Sequence, residues 1–214
     1  MRRRMAWPTT LILTLVVGGL TGCEADPLDS MNEGGADGGP ADAGPVDPTA
    51  CLEPAYDPGP CMPGDGRQLG EYPATHISEP EEITWEDSPP ASGPHRPAWA
   101  KWGEYSYLPP ERWLHNLEHG GIAFLYHPCA PAETIDALRA IAQARPDDEE
   151  GFFRWVMTPY PDLPSAVAVV AWEWRYLAPC VDADEIGAFI DRRYRQATED
   201  VQRDGSFEDG WIGR

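Results

Sequence analysis

The run from Ala166 to Trp172, Ala-Val-Ala-Val-Val-Ala-Trp, allows little besides a central buried strand, because it offers water no polar face. Beyond it the pattern alternates. Trp172, Trp174 and Tyr176 fall on one side and Glu173 and Arg175 on the other, which carries the expected strand on to Leu177. Gly121 to His127 and Gly151 to Tyr160 read as two further strands. Between them Ile135, Leu138, Ile141 and Ala142 recur at helical spacing, in a segment that opens after Pro131 and stops at Pro146. A last helix starts at Asp182, with Glu185 placed to complete its cap, and offers Ile186, Phe189, Ile190 and Tyr194 to a core.

Ahead of these elements lies an irregular Pro- and Trp-rich segment from Tyr72 to Tyr107. Its Trp85, Trp99, Trp102, Tyr105 and Tyr107 are expected to pack that segment against the sheet, or else to line a groove for peptide or glycan. The whole predicts one α+β domain over residues 51–214, with a mixed sheet, two main helices and a short third one.

The amino-terminal end fixes the expected compartment. Arg2, Arg3 and Arg4 precede a short apolar stretch, Leu11 to Leu20, as in an export signal over residues 1–22. That stretch is about half of what spans a bilayer. Leu20-Thr21-Gly22-Cys23 resembles the lipobox of bacterial lipoproteins, so Cys23 is expected to carry lipid and hold the protein to the outer face of a bacterial membrane, in the periplasm or at the cell surface. From Cys23 to Ala50 the chain is acidic and rich in Gly, Pro and Ala, with no basic residue, which reads as a disordered tether. A formal net charge of -20 argues against nucleic acid and against anionic headgroups as surface partners.

Four cysteines remain in an exported chain, Cys51, Cys61, Cys129 and Cys180, and read as two disulfides. They allow three connectivities. Sequence order favours Cys51 with Cys61 and Cys129 with Cys180. Cys129 and Cys180 each follow the end of an expected strand, so that pairing would make the two strands parallel.

Pro109, Pro110 and Glu111 before Trp113, and Gly120-Gly121 after it, delimit a short helix. Trp113, Leu114 and Leu117 share one side of it, while His115, Glu118 and His119 share the other. Histidines four apart lie about 6 Å from each other on a helix, so one ion can take both. The spacing His-x-x-Glu-His also matches the inverted zinc-protease motif, in which the glutamate is the general base.

"SPPASGPHRPAWAKWGEY", "LHNLEHGGIAFLYHP" and "MTPYPDLPSAVAVVAW" together resemble the bacterial domain-of-unknown-function family 3105, over roughly residues 65–195. The family's first segment falls on Pro89, Pro90, Ser92, Gly93, Pro94 and His95, with Ala91 where threonine is usual. Its second falls on His115, Asn116, Leu117, Glu118, His119, Gly120 and Gly121, and an upstream family histidine corresponds to His76. The chain departs at Glu173, where the family tends to have glycine.

The resemblance therefore gathers His76, His95, His115 and His119 and leaves His127 outside. Imidazole suits zinc and copper, and no cysteine is offered, so the expected cofactor is Zn(II) or Cu(II). The expected ligands are His115 and His119 from the helix, His95 from the loop, and His76 or Glu118 as a fourth ligand or supporting base. Three functions follow: a metal-binding protein, a metal-dependent hydrolase with Glu118 as general base, or a cell-envelope interaction module in which the same residues form a polar network.

Overall fold

The computed structural model describes residues 47–214 apart from 54 and 55, so residues 1–22, Cys23 and the tether as far as residue 46 lie outside the described residues. Seven strands and three helices follow in the order β1 (Asp65–Gln68), β2 (Gly103–Tyr105), α1 (Pro110–Glu118), β3 (Ile122–Tyr126), α2 (Ala132–Ala144), β4 (Trp155–Pro159), β5 (Val167–Ala171), β6 (Trp174–Ala178), α3 (Ala183–Arg193) and β7 (Trp211–Gly213). The strands form one sheet in the order β1-β6-β5-β3-β4-β2-β7. β3 pairs parallel with β4 and β4 with β2; the remaining pairs are antiparallel. This is the mixed-sheet α+β domain expected from the sequence. No helix among the described residues is long and apolar enough to cross a membrane.

Both faces of the sheet are covered, which is why its central strands lack alternation. Ile122 and Phe124 of β3, with Val167 and Val169 of β5, join a core with Leu138 and Ala142 of α2 and Ile186, Phe189 and Ile190 of α3. Ala123, Leu125, Ala168 and Val170 face the other way, into a core with Trp113, Leu114 and Leu117 of α1 and with Trp102, Tyr105 and Leu108. Trp102 and Tyr105 thus pack the irregular segment onto the sheet, as one reading of those aromatics expected. Each large apolar side chain buried this way is worth about 1.5–3 kcal/mol.

The helix ends follow local chemistry. Asp182 Oδ1 accepts from Asp184 N and Glu185 N, each at 3.0 Å, capping α3. The Glu185 carboxylate does not return the bond but accepts from Gly64 N at 3.0 Å and Tyr176 OH at 2.8 Å. At α1 the proline start and the glycine stop stand, with Gly120 at φ 81°.

Two expectations are overturned. The run through Leu177 is not one strand but a hairpin, β5 and β6, reversing at Trp172-Glu173. Glu173 has φ 64°, its amide donates to Ala91 O and its carbonyl accepts from Leu69 N, both at 2.8 Å. A glutamate in this left-handed conformation gives no turn signal in a sequence, and the position is one where glycine costs nothing. Glu173→Gly is therefore expected to raise stability, by up to about 1 kcal/mol, in urea unfolding midpoints.

The disulfides are Cys51–Cys129 and Cys61–Cys180, not the sequential pairs. The reason is the edge strand. β1 runs antiparallel to β6, with Asp65 opposite Leu177, so Cys61 just before β1 meets Cys180 just after β6. β3 and β6 point the same way with β5 between them, so Cys129 and Cys180 do lie at one edge, where the chain ahead of β1 bridges to each.

Candidate metal centre

The polar side of α1 does not face solvent. His115, Glu118 and His119 are all buried, because the 72–100 segment lies over them. Asn116 clamps that cover: its Oδ1 accepts from Ala100 N at 3.0 Å and its Nδ2 donates to Ala100 O at 2.8 Å. Arg96 N donates to Glu111 O at 2.8 Å, and Arg112 donates to Ala98 O at 3.0 Å and pairs with Glu79. Gly121 leaves the space that the Trp102 ring fills; an added Cβ there would stand 2.4 Å from it.

The Ser-Gly-Pro-His loop aims its histidine by a chain of bonds. Ser92 Oγ donates to Gly70 O at 2.8 Å and accepts from Tyr72 N at 3.2 Å, so it is tied to backbone rather than poised as a nucleophile. Gly93 takes φ 112°, which turns its carbonyl back to accept from His95 Nδ1 at 2.8 Å. Trp85 Nε1 donates to Pro94 O at 3.0 Å. An isolated parallel bridge sets His76 beside His95, through Ile77 N to His95 O at 2.8 Å and His95 N to Thr75 O at 3.0 Å.

Four side chains converge. One ligand atom each from His76, His95, His115 and Glu118 lies within 4.8 Å of all the others. From Glu118 Oε2 the Nε2 atoms are 3.0 Å away for His95, 3.8 Å for His76 and 4.0 Å for His115. Ligands bound at about 2.0–2.1 Å around a tetrahedral ion stand about 3.3 Å apart, so the widest pairs of this set draw in by up to about 1.5 Å to hold one. His95 is 0 % exposed, whereas the His76 side chain is 50 % exposed and forms the open side of the cluster.

Two of the imidazoles, His95 and His115, have their Nδ1 committed to a backbone carbonyl. A carbonyl only accepts, so the Nδ1 of His95 donates to Gly93 O and that of His115 donates to Arg96 O at 2.7 Å. Burial pushes His115 down to about 4, against the raising effect of the Arg96 carbonyl, so at neutral pH its Nε2 carries a lone pair. His95 Nε2 is buried with no hydrogen-bond donor near it. Burial would raise the Glu118 carboxyl, but the close contact with His95 and the nearby His115 and His76 rings outweigh it and hold the group below the usual carboxylate range.

His119, expected as a ligand with His115, stands beside the four rather than among them. Its Nε2 is 3.2 Å from His115 Nε2 and 3.1 Å from Glu199 Oε2. The helical pair in the cluster is instead His115 with Glu118, three apart. Arg96 donates to Ile77 O and Arg112 pairs with Glu79, so neither arginine is the partner of Glu118, and His95 pins its own loop through Gly93 O. His127 lies elsewhere, stacked on Tyr56 at 4.3 Å with Nδ1 accepting from Cys129 N at 3.1 Å.

The sequence reading missed the floor of the site. Arg154 is 0 % exposed, donates to His119 O at 2.8 Å and Tyr194 OH at 3.2 Å, and pairs with Asp200 at 2.6 Å. The segment after α3 closes the carboxyl end of α1: Glu199 N donates to Glu118 O at 3.0 Å and Arg195 N to Gly120 O at 2.9 Å. An arginine interrupting the apolar run Phe-Phe-Arg-Trp-Val-Met was the available signal for Arg154; Glu199 left none.

Burial also pushes His119 down to about 4, helped by the charge on His115. His115 and His119 thus bind fewer protons folded than unfolded between their ordinary 6.5 and about 4. Their contribution is complete above pH 6.5 and is lost as pH falls toward 4. The metal-free protein is expected to lose on the order of 3 kcal/mol for each of the two rings over that interval, measured by urea unfolding in chelator at each pH.

The model of the family described as "Protein of unknown function (DUF3105)" matches residues 76–206, which span all of the converging residues. No curated protein matches the chain, and no solved structure does.

Proposed function

The chain belongs to that family of unknown function, so its activity has to be read from its own chemistry, and we propose that it binds one divalent transition-metal ion through His76, His95, His115 and Glu118. The observation that carries this is the pair His95 Nε2 and Glu118 Oε2, 3.0 Å apart. With His95 Nδ1 donating to Gly93 O, its Nε2 faces a carboxylate in a buried place with no aligned hydrogen bond between them, and read as a ligand nitrogen it turns a lone pair to that spot. Two acceptors at hydrogen-bond distance repel unless a cation stands between them. A cation also gives His115 Nε2 and the half-exposed His76 a shared partner. The carbonyls that orient His95 and His115 are the kind of outer support that metal-ligating imidazoles have.

The hydrolase reading requires Glu118 free to act as a base. Glu118 Oε2 lies within 4.0 Å of three imidazole nitrogens, which makes it a ligand rather than a base. Binding, storage or transfer of the ion fits better, with the exposed His76 edge as its entry. The two disulfides fit an oxidising compartment, and with the export-type leader and Cys23 they support a place outside the cytoplasm, lipid-anchored.

Calorimetric titration of metal-stripped protein with Zn(II) and with Cu(II) tests the proposal. One equivalent bound, with release of few protons at pH 7 because His115 is already neutral, supports it; no saturable binding of either ion removes it.

A further inference from the structure

His119 is unexplained by the four-ligand site. It is buried, its Nδ1 has no hydrogen-bond partner, and its ring stands edge-on to Trp99 at 4.4 Å. An orphaned buried ring nitrogen is destabilising, and packing against Trp99 alone gives no reason to accept it. Arg154 and the 195–201 segment nevertheless hold this end of α1 in place, through His119 O and Gly120 O.

Its Nε2 has a specific position. Two nitrogens bound at about 2.0 Å to one ion stand about 2.8 Å apart at a right angle and about 3.3 Å at a tetrahedral angle. The separation of His115 Nε2 and His119 Nε2, 3.2 Å, lies in that interval. No bond at Nδ1 commits the ring to one tautomer, so Nε2 is free to pass its proton to Nδ1 and accept a cation. Its other contact, Glu199, has a side chain 53 % exposed and able to leave.

The two candidate ions would use this ring differently. Zn(II) in a closed protein site is satisfied by a tetrahedral set, which His76, His95, His115 and Glu118 supply. Cu(II) takes a tetragonal field and gains from an additional imidazole. Resting on the metal-binding reading above, we infer that His119 is a fifth ligand that Cu(II) takes and Zn(II) leaves, so that the site is built to hold copper in preference to zinc.

The test uses the full chain, wild type and His119→Gln, with Cu(II) and Zn(II) affinities measured separately by chelator competition and the Cu(II) form examined by pulsed EPR. The expected result is a loss of Cu(II) affinity of about tenfold or more in the variant, with Zn(II) affinity changed by less than about threefold. In the EPR, signals from remote imidazole nitrogens should report His76, His95, His115 and His119 in the wild type and one ring fewer in the variant. An equal change for both ions, or an unchanged ring count, overturns the inference and leaves the metal site standing. If the variant does not fold, the wild-type ring count decides: His119 included supports it, His119 absent overturns it. Failure of the wild type to bind either ion overturns both readings.

Discussion

Glu118→Gln is expected to act in opposite directions on the two forms of the protein: metal affinity falls by about 100-fold to 1,000-fold, while the metal-free fold becomes more stable. The first effect follows from sharing the roughly 10–16 kcal/mol of a structural zinc site among four ligands, so that each carries about 3–4 kcal/mol. The second follows from reading His95, whose Nδ1 donates to Gly93 O, as a ligand ring with a lone pair on Nε2, 3.0 Å from Glu118 Oε2. A glutamine presents an N–H₂ there, converting an acceptor facing an acceptor into a hydrogen bond and gaining about 1–2 kcal/mol. Had His95 instead been an imidazolium paired with the carboxylate, the same variant would lose a buried ion pair and be less stable by about 3 kcal/mol or more. Urea unfolding in chelator, beside calorimetry with Zn(II), reads both signs in one protein.

Arg154→Met should give the largest loss of stability of any single replacement at the site, about 3–5 kcal/mol. The guanidinium is 0 % exposed, and removing it takes one partner each from Asp200, the Tyr194 hydroxyl and the His119 carbonyl, which keep Arg195, Asp148 and Val201 N respectively. Asp200 is partly exposed and recovers some hydration, which places the expected loss toward the lower end. Because Arg154 holds the carboxyl end of α1, the variant should also bind metal more weakly without touching a ligand. A stability loss of less than about 1 kcal/mol would mean that the 195–201 segment closes α1 unaided.

Much of this was legible in the chain. The unbroken apolar run from Ala166 announced a strand covered on both faces, and β5 is that strand, while β3 and β4 fall where further strands were expected. α2 and α3 followed from apolar spacing and from Asp182. What was not legible depends on partners distant in sequence. β1 is Asp-Gly-Arg-Gln, exposed along its length and without an apolar pattern, yet its pairing with β6 decides both disulfides. The β5–β6 turn carries Glu173 where a glycine would have marked it.

The site was half legible for a related reason. Helical periodicity placed His115, Glu118 and His119 on one arc but does not distinguish the third neighbour from the fourth. The loop carrying His76 and His95 settles that, because its backbone bridge brings those rings over His115 and Glu118 and leaves His119 against Glu199 and Trp99.

The most direct test of the metal centre is anomalous diffraction at the zinc edge from crystals grown with one equivalent of Zn(II). The account predicts a single strong peak within about 2.0–2.2 Å of the Nε2 atoms of His76, His95 and His115 and of a Glu118 oxygen. Density for zinc only on the acidic surface, with His95 and Glu118 still in direct contact, would contradict it.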